Sequence, residues 1–261
     1  MLFSPLVSGS SGNSTFIEAG GARLLVDAGV TAKRLCELLC AVEVAPATID
    51  GILLTHEHVD HVAGVAVLAR RFNIPVYANA DCFAQLALRG VDVSARNMRV
   101  FESDREFYIK NVCVLPFSTP HDSAHAVGFT LNCGGEKCAV MTDVGHVTAH
   151  MIDVVAGSDI LLLEANHDID MLKAGSYPFP LKQRILSGTG HLNNEDAGRA
   201  LVKLFGRGVR NVVLGHLSKE NNTPELALVT VQTVLAENGM LDAMHVTIAR
   251  RDEPTGVYEI A

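Results

Sequence analysis

A chain of 261 residues in which 48% are hydrophobic and 19% charged can bury a large core, which excludes the disordered and fibrous classes. A formal net charge of −8 excludes a protein that coats nucleic acid through a general basic surface, while leaving a local anion site open. The longest aliphatic runs, 160-ILLL-163 and 212-VVL-214, fall far short of the roughly 20 residues of a membrane span, and the opening MLFSPLVSGSSGN lacks the charged and apolar regions of a secretory signal, so a soluble, cytoplasmic protein with no membrane partner is expected.

The first loop of interest is 8-SGSSGNS-14, where Ser8, Gly9, Ser10, Ser11 and Asn13 can present backbone N–H groups and hydroxyls to a phosphate. Gly and Ser also mark ordinary turns, and no P-loop lysine follows. The strand-like run 23-RLLVDAG-29 then ends on Asp27, and 51-GILLTHEH-58 ends on His56 and His58. After 60-DH-61, Val62, Val65, Ala66, Leu68 and Ala69 have helical spacing, and 73-NIPVYA-78 returns to strand. The six cysteines form no CxxC pair and read as small buried hydrophobes. Cys133 and Cys138 flank the turn 134-GGEK-137, where a redox pair would face across a hairpin.

The pattern of aliphatic strand followed by polar residue returns at 139-AVMTDVG-145, 160-ILLLEANHD-168 and 211-NVVLGHLS-218. Between and after these runs, 193-NNEDAGRALVKLF-205 predicts a helix with an asparagine cap and an acidic first turn, Asn193 and Asn194 both reading as caps. Another helix starts at 223-TPE-225, with Thr223 as cap, Pro224 in the first turn and Gly239 at its end. Lys182, Arg184, Lys203, Arg207, Arg210 and Lys219 read as scattered surface charge. No Pro/Ser-rich linker divides the chain, so residues 1–261 are expected to form one domain.

Continuous aliphatic strands imply sheets covered on both faces, as in layered α/β folds. Side by side, their carboxyl ends gather Asp27, His56, His58, Asp143, Glu164, His167 and His216 at one rim, where ligands of such folds bind. In 56-HEHVDH-61 the alternation of His56, His58 and Asp60 lets side chains two apart converge, while His61 points towards a second metal. So many ionisable groups after a core strand are costly without a compensating cation. Imidazole with carboxylate suits zinc, manganese or iron, whereas calcium favours an all-oxygen set. Glu57 reads as a bystander. His191, in the glycine-flanked 188-GTGHLNN-194 before a helix, is a further candidate, and His167 is placed to line the cleft.

The HxHxDH stretch 56-HEHVDH-61, with Asp27 upstream and His121, Asp143 and His216 downstream in order, resembles the metallo-β-lactamase superfamily across essentially the whole chain. The resemblance implies a four-layer αββα sandwich with the active site at one edge. It also implies two divalent metal ions, Zn2+ or Mn2+, with Fe as a third choice. His56, His58 and His121 would hold one ion, Asp60, His61 and His216 the other, and Asp143 would bridge them. Asp27 matches a carboxylate that orients a histidine ligand without itself binding metal. His58 stands where flavodiiron oxidoreductases carry an acidic residue, and Asp143 where true β-lactamases usually carry cysteine. The interval from Asp143 to His216 has no room for the inserted domain of the β-CASP nucleases.

The segments 6-LVSGSSGNST-15, 141-MTDVGHV-147, 163-LEANHD-168, 182-KQRILSGTGHLNNEDAG-198 and 214-LGHLSKENN-222 are similar to the YycJ/WalJ group of bacterial metallo-hydrolases. The activity this implies is 5′-to-3′ exonucleolysis of DNA, with a metal-bridging hydroxide as nucleophile. By the same resemblance, His191 would bind a phosphate oxygen or protonate the leaving oxygen, Asp60 would orient the nucleophile or take its proton, and the loop from Ser8 to Asn13 would line the site. One departure stands at 124-AHAVGF-129, where an acidic residue and proline are expected before Val-Gly. The rival expectations are a thioester hydrolase of the glyoxalase II type and a non-catalytic metal-binding scaffold for nucleic acid.

Overall fold

The structure, a computed structural model, describes residues 1–260. Two seven-stranded sheets lie face to face. The first runs β14 (Tyr258–Glu259), β1 (Leu2–Val7), β2 (Ser14–Ala19), β3 (Ala22–Val26), β4 (Gly51–Leu53), β5 (Val76–Ala78), β6 (Met98–Val100). The second runs β13 (His245–Ile248), β12 (Asn211–Gly215), β11 (Ile160–Glu164), β10 (Glu136–Met141), β9 (Val127–Cys133), β8 (Val112–Ser118), β7 (Phe107–Ile109). Strands β3 to β6 are mutually parallel, as are β10 to β13, so each sheet delivers a row of carboxyl ends to one side.

The unbroken aliphatic runs are explained by burial on both faces. In β11, Ile160 and Leu162 enter the core between the sheets, while Leu161 and Leu163 pack outward beneath helices. In β3, Leu24 and Val26 point inward and Leu25 outward. The period of two along a strand makes each face apolar in turn. Helices α1 (Ala32–Ala41), α3 (Val65–Phe72) and α4 (Ala80–Leu88) cover the first sheet through Leu35, Leu38, Leu39, Leu68 and Leu86. Helices α5 (Ala149–Val155), α8 (Asn194–Phe205) and α9 (Pro224–Glu237) cover the second through Met151, Leu201, Leu204, Val231 and Leu235. The result is the expected αββα order. Each fully buried Leu, Val or Phe contributes roughly 1.5–3 kcal/mol, so the sandwich is held mainly by its three apolar layers.

Local expectations fare unevenly. Thr223 caps α9 through Leu226 N (3.1 Å), and Asn193 caps α8 through Asp196 N (2.9 Å). Asn194 is not a cap: it is buried in the first turn of α8, where its amide pairs with that of Asn222. The helical spacing from Val62 to Ala69 is served by two helices, α2 (Val59–Val62) and α3, because the chain turns at Gly64 against the 28–30 loop. Gly64 N–H donates to Ala28 O (2.8 Å), and a Cβ there would fall 2.5 Å from Val30 O. The hairpin cysteines do not meet. The register sets Glu136 opposite Cys133 and Leu131 opposite Cys138, and all six thiols are free.

Candidate metal centre

The site forms where the carboxyl ends of the two sheets meet. After β4 the chain enters 56-HEHVDH-61, with His56 and His61 fully buried and His58 and Asp60 partly open. The second sheet supplies His121 beyond β8, Asp143 beyond β10, Glu164 at the end of β11 and His216 just beyond β12. Asp27, Asp143 and His216 each follow a strand in the left-handed region, with φ of 63°, 57° and 56°. Non-glycine residues rarely sit there, and such turns gather at sites whose geometry is imposed by the surrounding structure. At all three positions the turn comes one or two residues after the strand ends, where the chain changes direction at the rim.

The two groups of three marked out in the sequence, His56 with His58 and His121 and Asp60 with His61 and His216, each present donor atoms within 4.8 Å of one another. Asp143 lies between them. Its Oδ1 is 3.6 Å from both His121 Nε2 and His216 Nε2, and its Oδ2 is 3.1 Å from His61 Nε2. Asp60 Oδ2 stands 3.5 Å from the Nε2 atoms of both His61 and His216.

Four of the five histidines have their other ring nitrogen engaged. Asp27 Oδ2 meets His61 Nδ1 at 2.7 Å, and Thr55 Oγ1 lies 3.0 Å from His56 Nδ1. Gly190 O is 3.1 Å from His121 Nδ1, and Glu164 Oε1 is 2.9 Å from His216 Nδ1. Such partners fix tautomer and ring orientation, which is how proteins prepare imidazoles for a metal. Thr55 also donates to Asp27 Oδ2 (2.8 Å), linking the two supports. His58 differs, because its Nδ1 turns inward towards His56 Nε2 (2.9 Å) and His121 Nε2 (3.3 Å).

The donor set fits a cation. One proton on the three facing nitrogens of His56, His58 and His121 can serve a single pair, whereas one cation can serve all three. Asp143 Oδ2 is buried and accepts no hydrogen bond, although His61 Nε2 is close. Charge points the same way. Burial alone would depress the His216 imidazole, yet the carboxylates of Asp143, Asp60 and Glu164 push it up to about 10. Burial opposes protonation of His61 as well, and Asp143, Asp27 and Asp60 override it, raising it well above the usual range. Asp143 is held well below the usual carboxylate range, the burial penalty being outweighed by His216, His61 and His56. Burial and the neighbouring His61 push His56 down, and burial and His121 do the same to His58. Protons on His61 and His216 are thus what the carboxylates demand in the absence of a metal, and divalent ions would take their place.

Two residues outside the expected ligand sets are structural to the site. Glu164, one of the rim carboxylates but not among the expected ligands, is fully buried and also accepts from Val144 N (2.6 Å) and His191 Nδ1 (2.7 Å). The two imidazoles hold its carboxyl near 2 against the upward push of burial. Glu57 is no bystander to the geometry: it is buried, and its Oε1 accepts from Ala124 N (3.0 Å). That bond ties the HEHVDH loop to the loop that carries His121. Val127 N–H to Thr55 O (3.0 Å) makes a second tie across the seam between the sheets.

The remaining candidates separate. His191 lines a cavity of about 410 Å³ together with His58, Asp60, Asp143 and His216. His167 does not line it: the ring is buried, both its nitrogens lack partners, and burial depresses it to about 4. In the 8–14 loop, Ser10 reaches the cavity and Ser11 is exposed. Ser8 Oγ instead accepts from His216 N (2.9 Å), and Asn13 lies 3.2 Å from His61 Nε2. Gly9 N–H is taken by Asn13 Oδ1, Gly12 N–H by Gly9 O and Asn13 N–H by Asp60 O. A loop so occupied braces the site more than it cradles a phosphate. Arg184, dismissed as surface charge, lines the same cavity with Arg89 and Tyr177.

The chain can now be set beside known proteins. A family description, the beta-lactamase superfamily domain, matches residues 22–217. The exodeoxyribonuclease WalJ of Streptococcus pneumoniae is 39% identical over 239 residues, covering 90% of this chain and 88% of that protein. The exodeoxyribonuclease YycJ of Bacillus anthracis is 36% identical over 237 residues, covering 91% and 90%. Among solved structures, the metallo-beta-lactamase fold protein YhfI of Bacillus subtilis superposes with a TM-score of 0.75 at 19% identity, covering 99% of this chain and all of that one. Zn2+-bound PqqB of Methylobacterium extorquens gives 0.74 at 20% identity, with both chains fully covered. With the sandwich, the rim of histidines and aspartates and these matches in agreement, the chain belongs to the metallo-β-lactamase superfamily, in the group that holds the WalJ and YycJ proteins.

Proposed function

We propose that the protein is a dinuclear metal-dependent phosphodiesterase that removes nucleotides from DNA in the 5′-to-3′ direction, in the cytoplasm, with zinc or manganese as its native metal. One observation carries the reading: two groups of three donors flank Asp143, which lines a cavity together with His191, itself backed by a buried carboxylate. The WalJ and YycJ relatives, at 39% and 36% identity, are named exodeoxyribonucleases, which supports DNA over other phosphodiesters.

Two divalent cations, when bound by these groups, would supply an activated water and offset charge on the phosphoryl oxygens. The chain's own residues do the rest. Asp60, the most open of the site carboxylates, faces the cavity and orients the attacking group or takes its proton. His191 lines the cavity and Glu164 engages its Nδ1, leaving Nε2 to carry the proton that would go to the leaving oxygen. Burial disfavours that proton, and Glu164 more than restores it, leaving His191 above the usual imidazole range. This is the sign needed for a donor that must be charged near neutral pH.

End-labelled DNA and RNA incubated with a panel of divalent metals test the reading directly. Shortening of 5′-phosphorylated DNA from that end, with Mn2+ or Zn2+ required, is expected. Cleavage of a glutathione thioester without any nuclease activity would replace it with the thioester hydrolase, and metal-loaded protein inert to both would replace it with a binding scaffold.

A further inference from the structure

The cavity holds positive charge that belongs to no metal donor. Among the described residues lining it, Arg89 and Arg184 are the only lysine or arginine side chains. Arg89 follows α4, in the half of the molecule built on the first sheet, and Arg184 lies in α7 (Phe179–Ile185), between β11 and β12 of the second. Each half thus contributes one guanidinium to the same opening.

Both arginines lean on the metal loops. Arg184 Nε donates to Asp122 Oδ2, and the other oxygen of Asp122 is 3.4 Å from His121 Nε2. Arg89 Nη2 is 3.7 Å from Oε1 of Glu57, the residue between His56 and His58. Through one carboxylate each, the two are tied to the loops that carry the His56, His58 and His121 donors. A guanidinium has five N–H donors. Asp122 takes one from Arg184, and among the described residues no hydrogen bond is made by the terminal nitrogens of Arg184 or by any side-chain nitrogen of Arg89. Their side chains are half open to solvent, at 54% for Arg184 and 46% for Arg89. The anchors fix where the charges sit and leave donors over for an anion.

Resting on the phosphodiesterase reading above, we infer that Arg184 and Arg89 form a second phosphate site, which holds the phosphate on the 5′ side of the one being cleaved. Guanidinium matches phosphate with paired N–H donors, so the two grip one phosphate while the metal centre engages its neighbour. A cavity of about 410 Å³ lies at the small end of ligand pockets, so it takes the end nucleotide of a strand rather than a long tract. The outer phosphate of that nucleotide is the terminal monophosphate, or a phosphodiester where the strand runs on. A net charge of −8 provides no general basic surface to hold the strand, which leaves the task to local cations such as these. Contacts to phosphate fix register and carry no sequence. The site thereby sets the step, one nucleotide per cut, measured from the phosphate that the arginines hold.

Two small ligands read the site apart from any cutting of DNA. Thymidine 3′,5′-bisphosphate carries both phosphates, and thymidine 3′-monophosphate lacks the outer one. In calorimetric titration of the full, Mn2+-loaded protein, the bisphosphate should bind about tenfold more tightly. Arg184→Ala and Arg89→Ala should each lose about tenfold for the bisphosphate and nothing for the monophosphate, whose unchanged binding also shows that fold and metals are intact. Equal affinities for the two ligands in the unaltered protein, or equal losses for both in the variants, overturn the site. The first product cut from DNA tells which phosphate fills it. A strand with a 5′-phosphate should release a mononucleotide first. A 5′-hydroxyl strand that releases a dinucleotide first shows the site filled by an internal phosphodiester, and one left uncut shows that only the terminal monophosphate is taken. A mononucleotide released first from the 5′-hydroxyl strand at an undiminished rate overturns the site. If the bisphosphate binds in the expected pattern but DNA is not shortened, the site stands and the nuclease reading falls. If DNA is shortened while both variants treat the two ligands alike, the nuclease reading stands and the site falls.

Discussion

His191 Nδ1 stands 2.7 Å from Oε1 of Glu164, a carboxylate wholly closed to solvent. Glu164 therefore sets both the direction of the ring and its readiness to carry a proton. With Glu164→Gln the largest contribution that raises His191 disappears while burial and the smaller pull of Asp143 remain, so His191 loses its proton at lower pH. Since a donor works only when charged, the alkaline limb of the rate profile should move to lower pH. Turnover should fall about 10- to 100-fold, the usual cost of removing such a support. A pH–rate profile of the variant checks this, and an unmoved alkaline limb would deny His191 the donor role.

Asp143 lies between the two donor groups, within 4.0 Å of His56, His61, His121 and His216. Asp143→Ala and His58→Ala should each lower phosphodiester hydrolysis by at least about 10²–10³-fold. Circular dichroism should stay native, because neither side chain belongs to an apolar layer. Full activity in either purified variant would refute the proposed centre. His191→Ala should leave metal content, read by atomic emission, nearly unchanged while lowering turnover.

Gly29 is wedged where three loops cross. Its N–H donates to Asn13 O (2.8 Å), Asn13 N–H donates to Asp60 O (2.8 Å), and a Cβ on Gly29 would fall 1.7 Å from that same Asp60 oxygen. Gly29→Ala must displace the HEHVDH loop, at a cost of about 1–3 kcal/mol or more. A lower melting temperature together with weaker metal binding in a calorimetric titration is expected. A variant with unaltered metal affinity would show that the loop moves without disturbing its donors.

Burial pushes the thiols of Cys82 and Cys138 up to about 12, from an ordinary value of 9. Both resist ionisation in the fold and ionise freely once it opens. The stability this represents is complete below pH 9 and is lost as pH climbs from 9 towards 12, by about 1.4 kcal/mol per thiol for each unit. Urea midpoints should fall between pH 9 and pH 10.5, and less steeply in Cys138→Ala. Iodoacetamide at pH 9 should label the exposed Cys40 and spare Cys82 and Cys138 until urea is added, as mass spectrometry would record.

The layered fold was legible because its strands announce themselves. A run such as 160-ILLL-163, apolar at every position, fits a strand packed on both sides, and the structure uses Leu161 and Leu162 on opposite faces. The convergence of His56, His58, Asp143 and His216 was legible for a related reason, since each follows a strand and parallel strands put such residues on one rim; Asp60 and His61 were legible from the spacing within 56-HEHVDH-61, and His121 only through the family resemblance. Less legible was what each residue leans on. Glu57 looked idle because its partner, Ala124 N–H, lies 67 residues away and has no side-chain signature. Glu164 carried the same strand-end signal as the ligands, but nothing local says that one oxygen serves His191 and His216 together. Asn194 and Asn193 look interchangeable in sequence, and only the burial of one and the exposure of the helix start at the other separates them. Arg184 could not be told from ordinary surface arginine until Asp122 placed it beside the cavity.

The site straddles the line where the two sheets meet, with His56 to His61 on one side and His121, Asp143 and His216 on the other. Ties such as Val127 N–H to Thr55 O, Ala124 N–H to Glu57 and His216 N–H to Ser8 Oγ hold that line closed at the rim. A metal held from both sides would lose half of its donors whenever that line opened, so its release should quicken with the breathing of the rim. Exchange of the Ala124 and Val127 amide protons, followed by hydrogen exchange, should then keep pace with the escape of the metal to a chelator, and Glu57→Gln should hasten both together.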